Sequence, residues 1–168
     1  KGLCGSGASG RNGGCVLTLA PKFLTLKRLF GEVEAIKIVQ ASENAVYAIR
    51  DFCDQYQIEA QLRIDGALYT STNTAQNGAM DTVVDALSQA RCNSWNPLES
   101  SEVQKMAGSE RHIEGHFSPI AGSVHPGLLV RGRLRAAESL GVIIYGNTPM
   151  RRLHYGLPAI VITHGGEV

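Results

Sequence analysis

Between Glu32 and Tyr56 the apolar residues Val33, Ile36, Val39, Val46, Ile49, Phe52, Cys53 and Tyr56 recur mostly three or four positions apart. That period lines them up on one stripe of an amphipathic helix, and such a stripe has to be buried against another layer of structure. Met80, Val83, Val84 and Leu87 repeat the spacing, which predicts a second helix over Thr74 to Arg91. Between the two, Gln61 to Thr72 carries strand-type residues on both sides of Asp65 and Gly66, a pair that suits a hairpin turn or a bulge. Ser101 with Gln104 fits a capping box, and Gly108 stops the short, surface-exposed helix that follows. Pro126 suits the first turn of a third long helix and Gly141 its end, with Leu129, Leu134, Ala137 and Leu140 along one face. That helix runs straight into Val142, Ile143, Ile144 and Tyr145, which read as a short buried strand. A last strand, Ala159 to Thr163, reaches a turn at Gly165 and Gly166, with a partner strand expected to begin at Glu167. Helices mixed with strands that include hairpins place the chain between α/β and α+β. With no repeat and no dividing linker, residues 1–168 read as one unit.

Composition removes several function classes. Sixteen basic and 15 acidic residues leave a net charge of +1 spread along the chain, which is no field for holding a nucleic acid. The longest apolar runs fall far short of the roughly 18 residues a membrane-spanning helix needs. The four separated cysteines, Cys4, Cys15, Cys53 and Cys92, include no CxxC pair and read as free thiols, so a cytoplasmic location is expected. The chain opens on Lys1 with no initiator Met and no signal-like stretch, and it reads as cut at both ends.

Six of the 19 glycines lie within the first 14 residues, a density that ordinary helix or strand does not tolerate. Gly5, Gly7 and Gly10 satisfy GxGxxG, but that fingerprint carries meaning only between a strand and a helix. Lys1 to Cys4 is too short to establish the strand, and Gly13 and Gly14 make a poor first helical turn. A nicotinamide-dependent dehydrogenase is therefore the weakest reading. The same residues suit another kind of binding, in which convergent backbone N–H groups form a nest for an anion and Arg11 adds a permanently charged fork for phosphate. A flexible terminal loop on a non-catalytic α+β binding or scaffold domain is the alternative that residues alone leave open.

The remaining polar constellations carry little chemistry. His112 and His116 lack a third ligand, and every cysteine lies upstream of them, which removes a zinc deaminase. No metal site is expected. His125, just before Pro126, either caps the helix or faces a ligand. Arg131, Arg133 and Arg135 alternate and so point in different directions, as on a solvated face. No hydrolytic triad is visible, and Ser6 is not in a GxSxG elbow.

The run Gly7-Ala8-Ser9-Gly10-Arg11-Asn12-Gly13-Gly14 resembles the GASGRNGG segment of the D-amino acid oxidase and glycine oxidase superfamily, above all its gamma-glutamylputrescine oxidoreductase branch. Ser118 to Pro126, followed by Leu129, Arg131-Gly132, Ala136-Ala137, Leu140-Gly141-Val142 and Thr148-Pro149, is similar to the same branch in the same order. Cys15 and Ile120 depart from it: relatives commonly carry a polar residue or glycine at the first and an acidic residue at the second. The resemblance implies an internal fragment of a glutathione-reductase-like FAD domain, interleaved with a substrate domain built on an antiparallel sheet. It implies further that the dinucleotide-binding βαβ unit lies upstream of this chain. FAD is the expected cofactor, contacted by Ala8, Ser9, Gly10, Arg11, Asn12, Gly13 and Gly14. The expected substrate is a small amine or amino acid, oxidised at its C–N bond by hydride transfer to flavin. No catalytic residue is assigned, and the isolated fragment is expected to be inactive.

Overall fold

The computed structural model describes residues 2–167. After a 3₁₀ turn at Ala8–Gly10, a short strand β1 (Cys15–Val16) leads through a second such turn, Ala20–Lys22, into α1 (Phe23–Phe30) and α2 (Glu32–Gln55). There follow β2 (Ala67–Ser71), α3 (Asp81–Gln89), β3 (Asn96–Leu98), α4 (Ser100–Ala107), β4 (Glu114–Ser118), β5 (Gly122–Ser123), α5 (Pro126–Ser139), β6 (Arg152–His154) and β7 (Ile160–Ile162). The strands form three antiparallel sheets in the orders β1-β5, β2-β4-β3 and β6-β7. Helices packed with antiparallel sheets make this a mixed α/β fold.

The α2 stripe divides between two cores. Its first half gives Ala35 and Val39, both fully buried, to a cluster with Ala20, Phe23, Met80, Leu87 and Trp95. Its second half gives Cys53, with Ile49 and Phe52 alongside, to a cluster with Ile58, Ala60 and the α5 residues Leu128 and Leu129. One long helix thus holds α1 and α3 at one end and α5 at the other. Burial raises the Cys53 thiol above the usual range, helped by the neighbouring Asp54 carboxylate. Cys92 is raised by burial and then by Glu43 and Glu32, so both thiols stay protonated at neutral pH. Cys4 and Cys15 are exposed, and all four cysteines are free.

Several expectations are corrected. The helix expected from Thr74 begins at Asp81, because Asn73 Oδ1 accepts the Ala75 N–H and closes a separate 3₁₀ turn over Thr74–Gln76. Asp65 and Gly66 make no hairpin: β2 pairs with β4, Tyr69 opposite His116. Residues 61–66 instead run past Ser123, which exchanges two backbone hydrogen bonds with Arg63 at 2.8 Å. The capping box is absent, since Glu99 is the N-cap of α4 and the Gln104 amide donates to the Glu110 and His112 carbonyls. Gly108 does end that helix, in the left-handed conformation, but Val103 within it is fully buried. Along α5 it is Gly132 and Ala136 that are buried, while Leu140 is 68% exposed.

The largest correction concerns Val142 to Tyr145, which are exposed and lie outside every strand. A strand exists only by pairing, and among the described residues none runs beside this segment. The turn at Gly165 and Gly166 does form: the Thr163 N–H donates to the Gly166 carbonyl, and Glu167 bridges to Ile162.

A glycine loop strapped to two helices

The glycine-rich segment folds back on itself because two of its residues have no side chain. A Cβ on Gly10 would collide with the Gly5 carbonyl oxygen. Gly14, at φ +71°, lies so close to the Val124 carbonyl that only glycine fits both the dihedral and the space. Gly7 and Gly13 face open space instead. The far end is strapped down: Val124 N–H donates to Gly14 O at 2.8 Å, and β1 continues the antiparallel pairing with Cys15 opposite Ser123.

Asn12 braces the loop from within. Its Nδ2 donates to the carbonyls of Ala8 (3.0 Å) and Ser9 (3.1 Å), and its Oδ1 accepts the Gly14 N–H at 2.8 Å. The N–H groups of Gly10 and Arg11 close the 3₁₀ turn onto Gly7 and Ala8. Among the described residues, those of Gly7, Ala8, Ser9, Asn12 and Gly13 meet no protein acceptor. The Arg11 side chain is exposed and joins no ion pair among the described residues. Residues 1–31 include no Asp or Glu, so no carboxylate within the segment competes for these donors. Exposed N–H groups, a guanidinium and local positive charge form a donor set suited to a phosphate-bearing cofactor.

The structure brings Ser9, Asn12 and Gly14 to the wall of a cavity of about 280 Å³ that α2 lines with Ser42, Val46 and Ile49. Ala8, Gly10, Arg11 and Gly13 lie outside that wall. A second cavity of about 280 Å³ lies between the loop's first residues and the start of α5, lined by Cys4, Ser6, His125 and Arg131 among others. His125 caps α5, its Nδ1 accepting the Leu128 N–H at 3.2 Å. The wall supplied by α2 comes from a part of the sequence far from the loop, and no local motif announces it.

His112 and His116 serve packing. His112 Nδ1 lies 2.7 Å from Thr70 Oγ1 across to β2, and His116, 8% exposed, sits 3.8 Å from Asp81 at the start of α3. Beside them Glu114 accepts the Gly78 N–H and the Ser71 hydroxyl, which ties β4 to the approach to α3. Among the described residues no group of three His, Cys, Asp or Glu could hold a metal ion, and no helix is long and apolar enough to cross a membrane.

Three solved structures share this fold. Glycine oxidase from Geobacillus kaustophilus is 19% identical, with a TM-score of 0.68 over 99% of this chain and 44% of its own. L-amino acid deaminase from Proteus myxofaciens is 16% identical, with a TM-score of 0.72 over 97% of this chain and 35% of its own. L-alpha-glycerophosphate oxidase from Mycoplasma pneumoniae, solved with FAD bound, is 13% identical, with a TM-score of 0.63 over 95% of this chain and 40% of its own. The chain therefore spans less than half the length of each. A search of curated proteins finds no match. Over residues 1–168 the sequence matches the family described as DAO, FAD dependent oxidoreductase, and the chain belongs to that family, whose cofactor is FAD.

Proposed function

We propose that this chain is one portion of a flavoenzyme that oxidises the C–N bond of an amine or amino acid. The observation that carries the reading is the loop's set of free N–H groups beside Arg11, in a stretch devoid of carboxylates. In this reading the N–H groups of Gly7, Ala8, Ser9, Asn12 and Gly13 and the Arg11 guanidinium hold the diphosphate of FAD, while Gly10 and Gly14 let the loop close. FAD, when bound, accepts the hydride from the carbon next to the substrate nitrogen, leaving an imine that water hydrolyses. The chain's own part is to hold and orient the cofactor. Each charge-assisted hydrogen bond contributes about 1.5–3 kcal/mol, so a few of them suffice without recognition of the base.

The solved relatives include enzymes named for amino acids, which supports that substrate class. The match of Gly7 to Gly14 and of Ser118 to Pro126 with the gamma-glutamylputrescine oxidoreductase branch makes alkyl amines the first substrates to assay. We take the exposed apolar face of Val142 to Tyr145 to lie against the remainder of the family fold, with an FAD domain and an antiparallel-sheet substrate domain interleaved. The 168-residue chain alone is then expected to bind FAD weakly and to show no turnover. The test joins this chain to an upstream βαβ dinucleotide-binding unit and follows FAD uptake by its absorbance. Uptake that falls at least tenfold in affinity in Arg11→Ala supports the reading. Uptake indifferent to that change removes Arg11, and no uptake by the joined protein removes the flavoenzyme.

A further inference from the structure

The side chain of Asn12 is spent entirely within the glycine loop. An asparagine amide carries two hydrogens, and here Nδ2 gives them to the Ala8 and Ser9 carbonyls at 3.0 and 3.1 Å. Its Oδ1 accepts the Gly14 N–H at 2.8 Å. No donor is left on this side chain for a ligand, although the backbone N–H of Asn12 meets no protein acceptor among the described residues.

What the side chain does instead follows from the planarity of the peptide unit. In a trans peptide the carbonyl of one residue and the N–H of the next point in opposite directions, so holding the first aims the second. Asn12 Nδ2 holds the Ala8 carbonyl, which also accepts the Arg11 N–H at 3.2 Å, and the Ser9 N–H is thereby turned away from the brace. The Ser9 carbonyl is held in the same way, and the Gly10 N–H of that second peptide closes onto Gly7. Carbonyl oxygens repel an anion, so tying those of Ala8 and Ser9 to Asn12 keeps two acceptors out of a nest built from amides. Ser9 itself lines the cavity that the loop shares with α2.

We infer that Asn12 is a positioning residue for the diphosphate: its side chain binds no phosphate and acts by fixing the peptide planes on both sides of Ser9, so that the Ser9 N–H is presented to the ligand. The assignment rests on the diphosphate reading given above and deepens it. Arg11 supplies charge, and Asn12 supplies orientation. The Asn12 side chain therefore acts through the backbone, where the resemblance implied a contact with the cofactor.

The experiment titrates the full chain and its Asn12→Ala and Asn12→Ser variants with inorganic pyrophosphate. It reads ¹⁵N–¹H shifts residue by residue and records a urea unfolding curve for each protein. Serine keeps an oxygen that can accept the Gly14 N–H two residues on, but it is too short to hold both carbonyls. In both variants the affinity should fall at least about tenfold and the Ser9 amide should lose its response, while the urea midpoint stays that of the unaltered chain. Unchanged affinity in either variant, or a midpoint that falls along with the affinity, overturns the inference and leaves the diphosphate reading standing. An unaltered chain whose loop amides do not respond to pyrophosphate overturns both.

Discussion

The helical body and the segment after α5 carry equally apolar side chains and treat them in opposite ways. In the body, Phe23, Val39, Leu87 and Val103 are completely buried. Beyond α5, Ile143 is 76% exposed, Tyr155 90%, and Leu157 wholly so. The difference is one of partners. The α2 stripe meets α1, α3 and α5 within this chain, whereas residues 142–145 follow α5 with no strand beside them among the described residues. Apolar patterning states that a surface is to be covered; it does not state that the cover lies in the same 168 residues.

The sharpest way to break this comparison is a set of three substitutions. Phe23→Ala empties a fully buried site at the start of α1, in the cluster that holds Ala35 and Val39 of α2, and is expected to cost about 3–5 kcal/mol, read as a lower urea midpoint with an unchanged slope. Removing the His125 cap by His125→Ala leaves the Leu128 N–H unpaired and should cost about 1 kcal/mol in the same assay. Ile143→Ser, on the exposed segment, should change stability by less than about 0.5 kcal/mol and lower the binding of a hydrophobic dye. A loss at Ile143 as large as that at Phe23 would show that the segment is packed after all.

The same contrast explains what could be read in advance. The 32–56 stripe fell within one residue of α2, since a 24-residue helix averages out local competition. Pro126 and the left-handed Gly108 marked helix ends because their backbone constraints act locally, whatever the tertiary context. The Ser101–Gln104 box failed because Gln104 found better acceptors in Glu110 and His112, brought near by the turn after Gly108. At the site, the glycine loop stood out as a run of letters, and its inner brace by Asn12 is a local contact of the same kind. The walls contributed by Ser42 and Ile49 did not stand out, because only the fold carries them to the loop, whereas His125 was marked by its place before Pro126.

The flavoenzyme reading turns on whether the loop's unpaired amides receive a diphosphate. The direct measurement is a ¹⁵N–¹H spectrum of the chain titrated with inorganic pyrophosphate to millimolar concentration. Saturable shifts concentrated on Gly7, Ala8, Ser9, Asn12 and Gly13, and suppressed in Arg11→Ala, are the expected result. Amides of that segment that stay still, or that move no more than those of the surface at large, would contradict it.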